Sequence, residues 1–169
     1  MSKPEDLTIL DYKDLVRQYH NESDRAAAVL AGSYAEHFIG KYLRCFMIDD
    51  INEGKLFDGS GPFATFAQRI NTAYAFNFID KNMRNDLLYV KKIRNHFAHY
   101  PKETSFKSNK ISPLCKNLTT AQPIKIRGSN ETYTATNPRE QYIIAIGVFI
   151  ISAHNRMLAR QKQRKTKKI

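Results

Sequence analysis

The sequence predicts an all-α helical bundle with a small β-hairpin excursion near residues 123–136. Three observations carry this. Apolar residues recur at steps of three and four through 21–48, 63–77 and 80–99, the spacing of one helical face. Capping residues stand at the heads of these runs. Alternation with a period of two is confined to one short stretch. The 169 residues suit one domain, with 1–160 as the helical domain and 161–169 as a basic C-terminal tail.

The first helix reads from Asn21 to Ile48. Ser23 is its N-cap, Asp24 complements the helix dipole, and Ala27, Leu30, Tyr34, Phe38, Tyr42, Cys45 and Phe46 form its apolar stripe. Gly32 and Gly40 interrupt the stripe where another helix is expected to cross closely. Residues 49–61, with three glycines, read as a loop. Pro62 suits a first helical turn, and Phe63, Phe66, Ile70, Ala73 and Tyr74 mark a second helix ending near Asn77. Asp80 caps a third, with Met83, Leu87, Val90, Ile93 and Phe97 inward and Pro101 as its stop. The short connection predicts that the second and third helices lie antiparallel. Residues 101–137 read as irregular except for the hairpin, with Gly128 in its turn. Asn137-Pro138-Arg139-Glu140 then starts a last helix that is apolar nearly all round from Tyr142 to Ala153 and basic beyond. Such a helix is central to a core or shared between two chains.

The charge is divided along the chain. Residues 1–90 hold ten Lys/Arg against thirteen acids, a net −3, whereas residues 91–169 hold seventeen against three, a net +14. A basic half of this kind attracts phosphate backbones and other polyanions. The longest apolar run has twelve residues, short of a membrane span, and no signal peptide is read at the start. Cys45 and Cys115 have neither disulfide-framework nor zinc spacing, so no metal or cofactor and a cytoplasmic location are expected.

The candidate chemistry lies in Lys91-Lys92-Ile93-Arg94-Asn95-His96-Phe97-Ala98-His99-Tyr100-Pro101. Cations, an amide and imidazoles at a helix end suit metal-free RNA cleavage: His99 as general acid or base, Arg94 on the phosphate, Asn95 as a hydrogen-bond donor. On a regular helix Arg94 and His99 point about 140° apart, so one pocket needs an unwound last turn or a second copy. The structural alternative pairs Arg94 with Asp24 or Glu36. A helix-turn-helix reading, with Lys81, Asn82, Arg84 and Asn85 reading bases, is the lesser option because αα-hairpins are commoner. Lys91, Lys92, Arg156, Arg160, Lys162, Arg164 and Lys165 form the set for a protein or nucleic-acid partner.

Arg94-x4-His99 ahead of a proline resembles the R-x4-H motif of the HEPN superfamily, helical and often dimeric proteins that include metal-independent endoribonucleases. A longer pattern resembles the mannitol operon repressor family: Glu22-Ser-Asp-Arg25-Ala-Ala-Ala, Lys55-Leu-Phe-Asp-Gly, Gly61-Pro-Phe-Ala-Thr-Phe66-Ala-Gln-Arg-Ile70 and Val90 to His99. The likeness spans about residues 20–118, with Asp24, Arg25 and Glu36 as supporting positions. It implies a HEPN-like helical bundle and a bacterial cytosolic regulator that works through macromolecular partners without a DNA-binding module of its own, while the apolar helix 142–153 and the Arg94/His99 geometry point to a homodimer. The R-x4-H resemblance implies the alternative, a HEPN-type endoribonuclease using Arg94, Asn95 and His99 and acting as toxin or defence factor.

Overall fold

A computed structural model describes residues 17, 19, 21–48, 51, 53–102, 105–125 and 130–166. Within them the chain forms α1 (Asp24–Arg44), α2 (Glu53–Phe57), α3 (Phe66–Ala75), α4 (Lys81–His99), α5 (Ser112–Lys116), a 3-10 turn (Thr119–Ala121), β1 (Ile124–Lys125), β2 (Thr132–Tyr133) and α6 (Pro138–Thr166). The all-α bundle with a small hairpin is the observed architecture.

Local signals set most boundaries. Ser23 Oγ accepts from Ala26 N at 3.2 Å and Asp80 Oδ1 from Met83 N at 2.8 Å, opening α1 and α4. Asn137 Oδ1 accepts from Glu140 N at 3.0 Å at the head of α6. The second long helix starts later than its proline suggests, at Phe66. Thr65 Oγ1 takes Gln68 N while Gln68 Oε1 takes Thr65 N at 2.8 Å, a capping box that satisfies two orphan donors. The expected loop 49–61 contains α2, and the irregular 101–137 contains α5 and the 3-10 turn. In the hairpin Ile124 pairs with Tyr133 and Lys125 with Thr132, antiparallel; the turn at Gly128 lies outside the described residues.

α1 runs through the middle of the bundle, against α6, α4 and α3. Its N-terminal half is small, with Ala27, Ala28, Ala31, Gly32 and Ala35 buried, so neighbouring helices approach closely. Its C-terminal half fills the core with Tyr34, Phe38, Ile39, Tyr42 and Leu43. α6, packed on α1, α4, α5 and the 3-10 turn, buries Tyr142, Ala145, Ile146, Phe149, Ile150, Ala153 and Met157, and Phe38 meets Phe149 edge to face at 6.0 Å. Each large apolar side chain fully buried here stabilises by roughly 1.5–3 kcal/mol. Tyr142 Oη donates to Ala28 O at 2.8 Å inside the core, so its polar end is matched.

Two stripe positions are corrected. Leu30 is 49% exposed and Tyr74 41% exposed. At Leu30 the buried surface of α1 runs instead through Ala27, Ala28 and Ala31, because only small residues fit under the crossing helices. α6 is buried on one side only: Val148, Ile151 and Leu158 face outward. From Pro138 to Arg164 it is long and apolar enough by length and composition to cross a membrane, more than the twelve-residue run indicates, and its buried side forms the core described above.

Candidate functional site

The end of α4 is built outward from three long-range pins. Arg25 of α1 donates from Nη2 to Ala98 O at 3.4 Å, a last-turn carbonyl that the helix leaves open, and from Nη1 to Pro101 O at 2.9 Å just beyond the helix. Asp24 accepts from Arg139 at 2.9 Å and from Phe106 N at 2.9 Å, tying the start of α1 to the start of α6 and to the chain beyond Pro101. Arg139 also donates to Tyr19 O and to Glu22 O. Glu36 pairs with Arg94 of α4. Asp24, Arg25 and Glu36 thus hold the frame, and Arg94 takes the Glu36 partner of the two acids considered from sequence.

On this frame the helix stays regular to His99, and Tyr100 N still donates to His96 O at 3.0 Å. The last turn does not unwind. Arg94 therefore turns to Glu36 on α1, while His99 is exposed on another face. One chain does not bring Arg94 and His99 into one cleft. What it does bring together is an open depression of about 660 Å³ lined by Leu88, Lys91, Lys92, Asn95, His96, His99 and Tyr100. His96 stacks on Tyr100 with ring centres 4.4 Å apart, and Lys110 Nζ sits 5.8 Å from the Tyr100 ring. Sequence reasoning gave roles to Lys91, Lys92, Asn95 and His99, included His96 and Tyr100 in the candidate segment without a role, and passed over Leu88 and Lys110. The signal was present: 88, 92, 96, 100 and 91, 95, 99 are adjacent rows at spacing four, which share a helix face.

The second cationic group lies at the other end of the bundle. Arg156 donates to Asn77 O at 3.3 Å and also to Phe78 O, and Arg164 donates to Met47 O. Arg160 places its guanidinium 5.9 Å from the Phe46 ring centre. Lys162 is exposed; the side chain of Lys165 lies outside the described residues. Burial raises the Tyr42 phenol, and Arg156, hydrogen-bonded to it, pulls the other way. Burial also raises the Cys45 thiol, against the nearby charges of Arg164 and Arg160. At the helix-turn-helix candidate, Arg84 Nε donates to Asn71 Oδ1 at 3.2 Å and its guanidinium lies 5.2 Å from the Tyr74 ring, so it is spent on the α3–α4 hairpin. Among the described residues no group of three His, Cys, Asp or Glu gathers as a metal site needs.

The fold is similar to that in the X-ray structure of the MtlR–HPr complex from Escherichia coli. The match has a TM-score of 0.59 and covers 84% of this chain and 97% of that one, at 16% identity. The chain therefore has a distant MtlR-like fold. No family model and no curated protein matches it.

Proposed function

We propose that this chain is a mannitol operon repressor-like regulator that acts as a homodimer by docking on a protein partner, not through a DNA-reading module. The observation that carries the reading is the outward cationic surface of α4, with Lys91, Lys92, His96, His99 and Tyr100 lining one depression on a helix whose end Arg25 pins to α1. Side chains so arranged suit an acidic or carbonyl-rich protein surface, with Tyr100 and Leu88 as apolar anchors. The similar chain from Escherichia coli belongs to a complex with HPr, which makes HPr the first partner to try. The endoribonuclease reading is the less favoured, because Arg94 is engaged by Glu36 on a face away from His99.

Titration calorimetry with purified HPr, from Escherichia coli and from the chain's own source, tests this. A complex with Kd in the micromolar range is expected, about −8 kcal/mol. Charge reversal at both Lys91 and Lys92 should weaken it about tenfold or more, through lost electrostatic complementarity. Light scattering on the same samples should give a dimer mass. Absence of heat and of complex at about 100 μM with either HPr refutes the docking reading.

A further inference from the structure

We propose that the ladder of Phe46, Phe78 and Phe76, flanked by Arg156 and Arg160 of α6, is a binding surface for single-stranded nucleic acid. The local backbone builds it. α3 ends at Ala75, and Asn77 adopts φ +56°, a left-handed conformation that asparagine tolerates better than most residues. Across this reversal Phe76 is left outside while Phe78 turns in against α1. The Phe46 and Phe78 rings stack with centres 4.2 Å apart and planes 21° apart; Phe76 continues the stack at 5.9 Å and 22°. Three rings are near parallel, and the outermost is 66% exposed.

The cations are held beside this stack. Arg156 is hydrogen-bonded to Asn77 O and Phe78 O, the two carbonyls flanking the ladder's turn, and Arg164 to Met47 O just after Phe46. These bonds dock the end of α6 on both aromatic loops. A groove of about 220 Å³ results, lined by Phe46, Phe78, Arg156, Ala159, Arg160 and Gln163. Among the described residues nothing accepts from the buried Nε of Arg160. From Arg156 to Ile169 the sequence has seven Lys/Arg and no acid.

The ligand class follows from the pairing of these two features. A cationic helix by itself suits any polyanion, but an open aromatic face aligned with two more rings suits a flat π-system with phosphate attached. Single strands supply both, since their bases are unstacked and their backbone is charged. A duplex hides its base faces, and an acidic peptide has no use for the ladder. The surface lies near the start of α4, about 27 Å along that helix from His99, so it does not depend on the partner-docking reading.

Fluorescence anisotropy on the full chain tests the assignment, with labelled 12-nucleotide oligo(U) and oligo(dT), a 12-base-pair duplex, and heparin as competitor. Single strands should bind several-fold more tightly than the duplex. Phe76→Ala should weaken single-strand binding about tenfold, with a melting temperature lowered by only a few degrees because the ring is mostly exposed and loses one stacking contact, and Phe76→Tyr should retain binding. Replacing Arg160 and Lys162 by Gln should flatten the salt dependence. No binding at about 100 μM oligonucleotide overturns the proposal. So does equal affinity for single strands and duplex with no effect of Phe76→Ala, which assigns the surface to polyanions in general.

Discussion

Replacing Gly32 by alanine puts a carbon where three helices meet. A Cβ on Gly32 would lie 2.6 Å from Tyr142 Oη of α6 and 2.7 Å from both Cβ and Cγ of Arg94 on α4. In an open helix this substitution stabilises by about 1 kcal/mol, because alanine loses less backbone entropy. Here α4 or α6 has to retreat, and overpacking of a close-packed interior costs about 1–3 kcal/mol. If Tyr142 moves, its buried bond to Ala28 O is lost as well, about 1 kcal/mol net. The expected balance is a loss of about 2 kcal/mol, or about 4–8 °C in midpoint for a chain of this length. Urea unfolding followed by circular dichroism measures it, with an unchanged m-value. In a Tyr142→Phe background the hydroxyl clash is gone, so the Gly32→Ala penalty should shrink by about 1 kcal/mol. A Gly32→Ala protein as stable as the parent would refute the close crossing.

Substitutions at two further positions, Asp86 and Arg69, probe contacts that tie the bundle together. Asp86 is 4% exposed and accepts from Thr119 N at 2.9 Å and from Thr119 Oγ1; burial raises its carboxyl above the ordinary 3.8, and the Thr119 bonds pull back. A raised folded-state value means that stability present below pH 3.8 is lost as pH climbs through the folded value. Asp86→Asn, able to keep both contacts, should therefore gain on the parent between acid and neutral pH in a denaturation series, while Asp86→Ala should lose about 1 kcal/mol; a pH-independent difference for Asp86→Asn would refute this. Arg69 donates to Phe63 O at 2.7 Å, Glu36 O at 3.1 Å, Ala64 O at 3.3 Å and Phe57 O at 3.4 Å, so it ties α1 to the chain between α2 and α3. Arg69→Met should cost about 2–4 kcal/mol in urea unfolding, and Arg69→Lys should recover less than half, since an ammonium lacks the fork; a loss under about 0.5 kcal/mol would count against the hub.

Much of the fold was legible because its signals are local. Ser23, Asp80 and Asn137 cap the helices they were expected to cap, and Leu87, Val90, Ile93 and Phe97 are buried as their spacing predicts. The second helix was misplaced by its proline: Pro62 is compatible with a first turn, but the reciprocal Thr65–Gln68 bonds satisfy more donors. Leu30 was misassigned because a stripe does not say how wide a neighbouring helix leaves the gap. At the site, the residue types at the end of α4 were apparent, and their grouping was only half seen.

By itself the sequence determined the helical class, most helix starts, the cationic second half and the regular spacing of Leu88, Lys92, His96 and Tyr100. Those properties depend on residues within one or two turns of each other, where hydrogen-bond geometry and side-chain direction follow chain order. Only the tertiary structure decided that Arg94 faces Glu36, that Arg25 closes the end of α4, and that Phe76 stands outside a three-ring stack beside Arg160. The first two contacts join residues 58 and more than 70 positions apart. Their partners are selected by which helices the small residues of α1 allow to approach, a condition that packing sets and chain order does not encode.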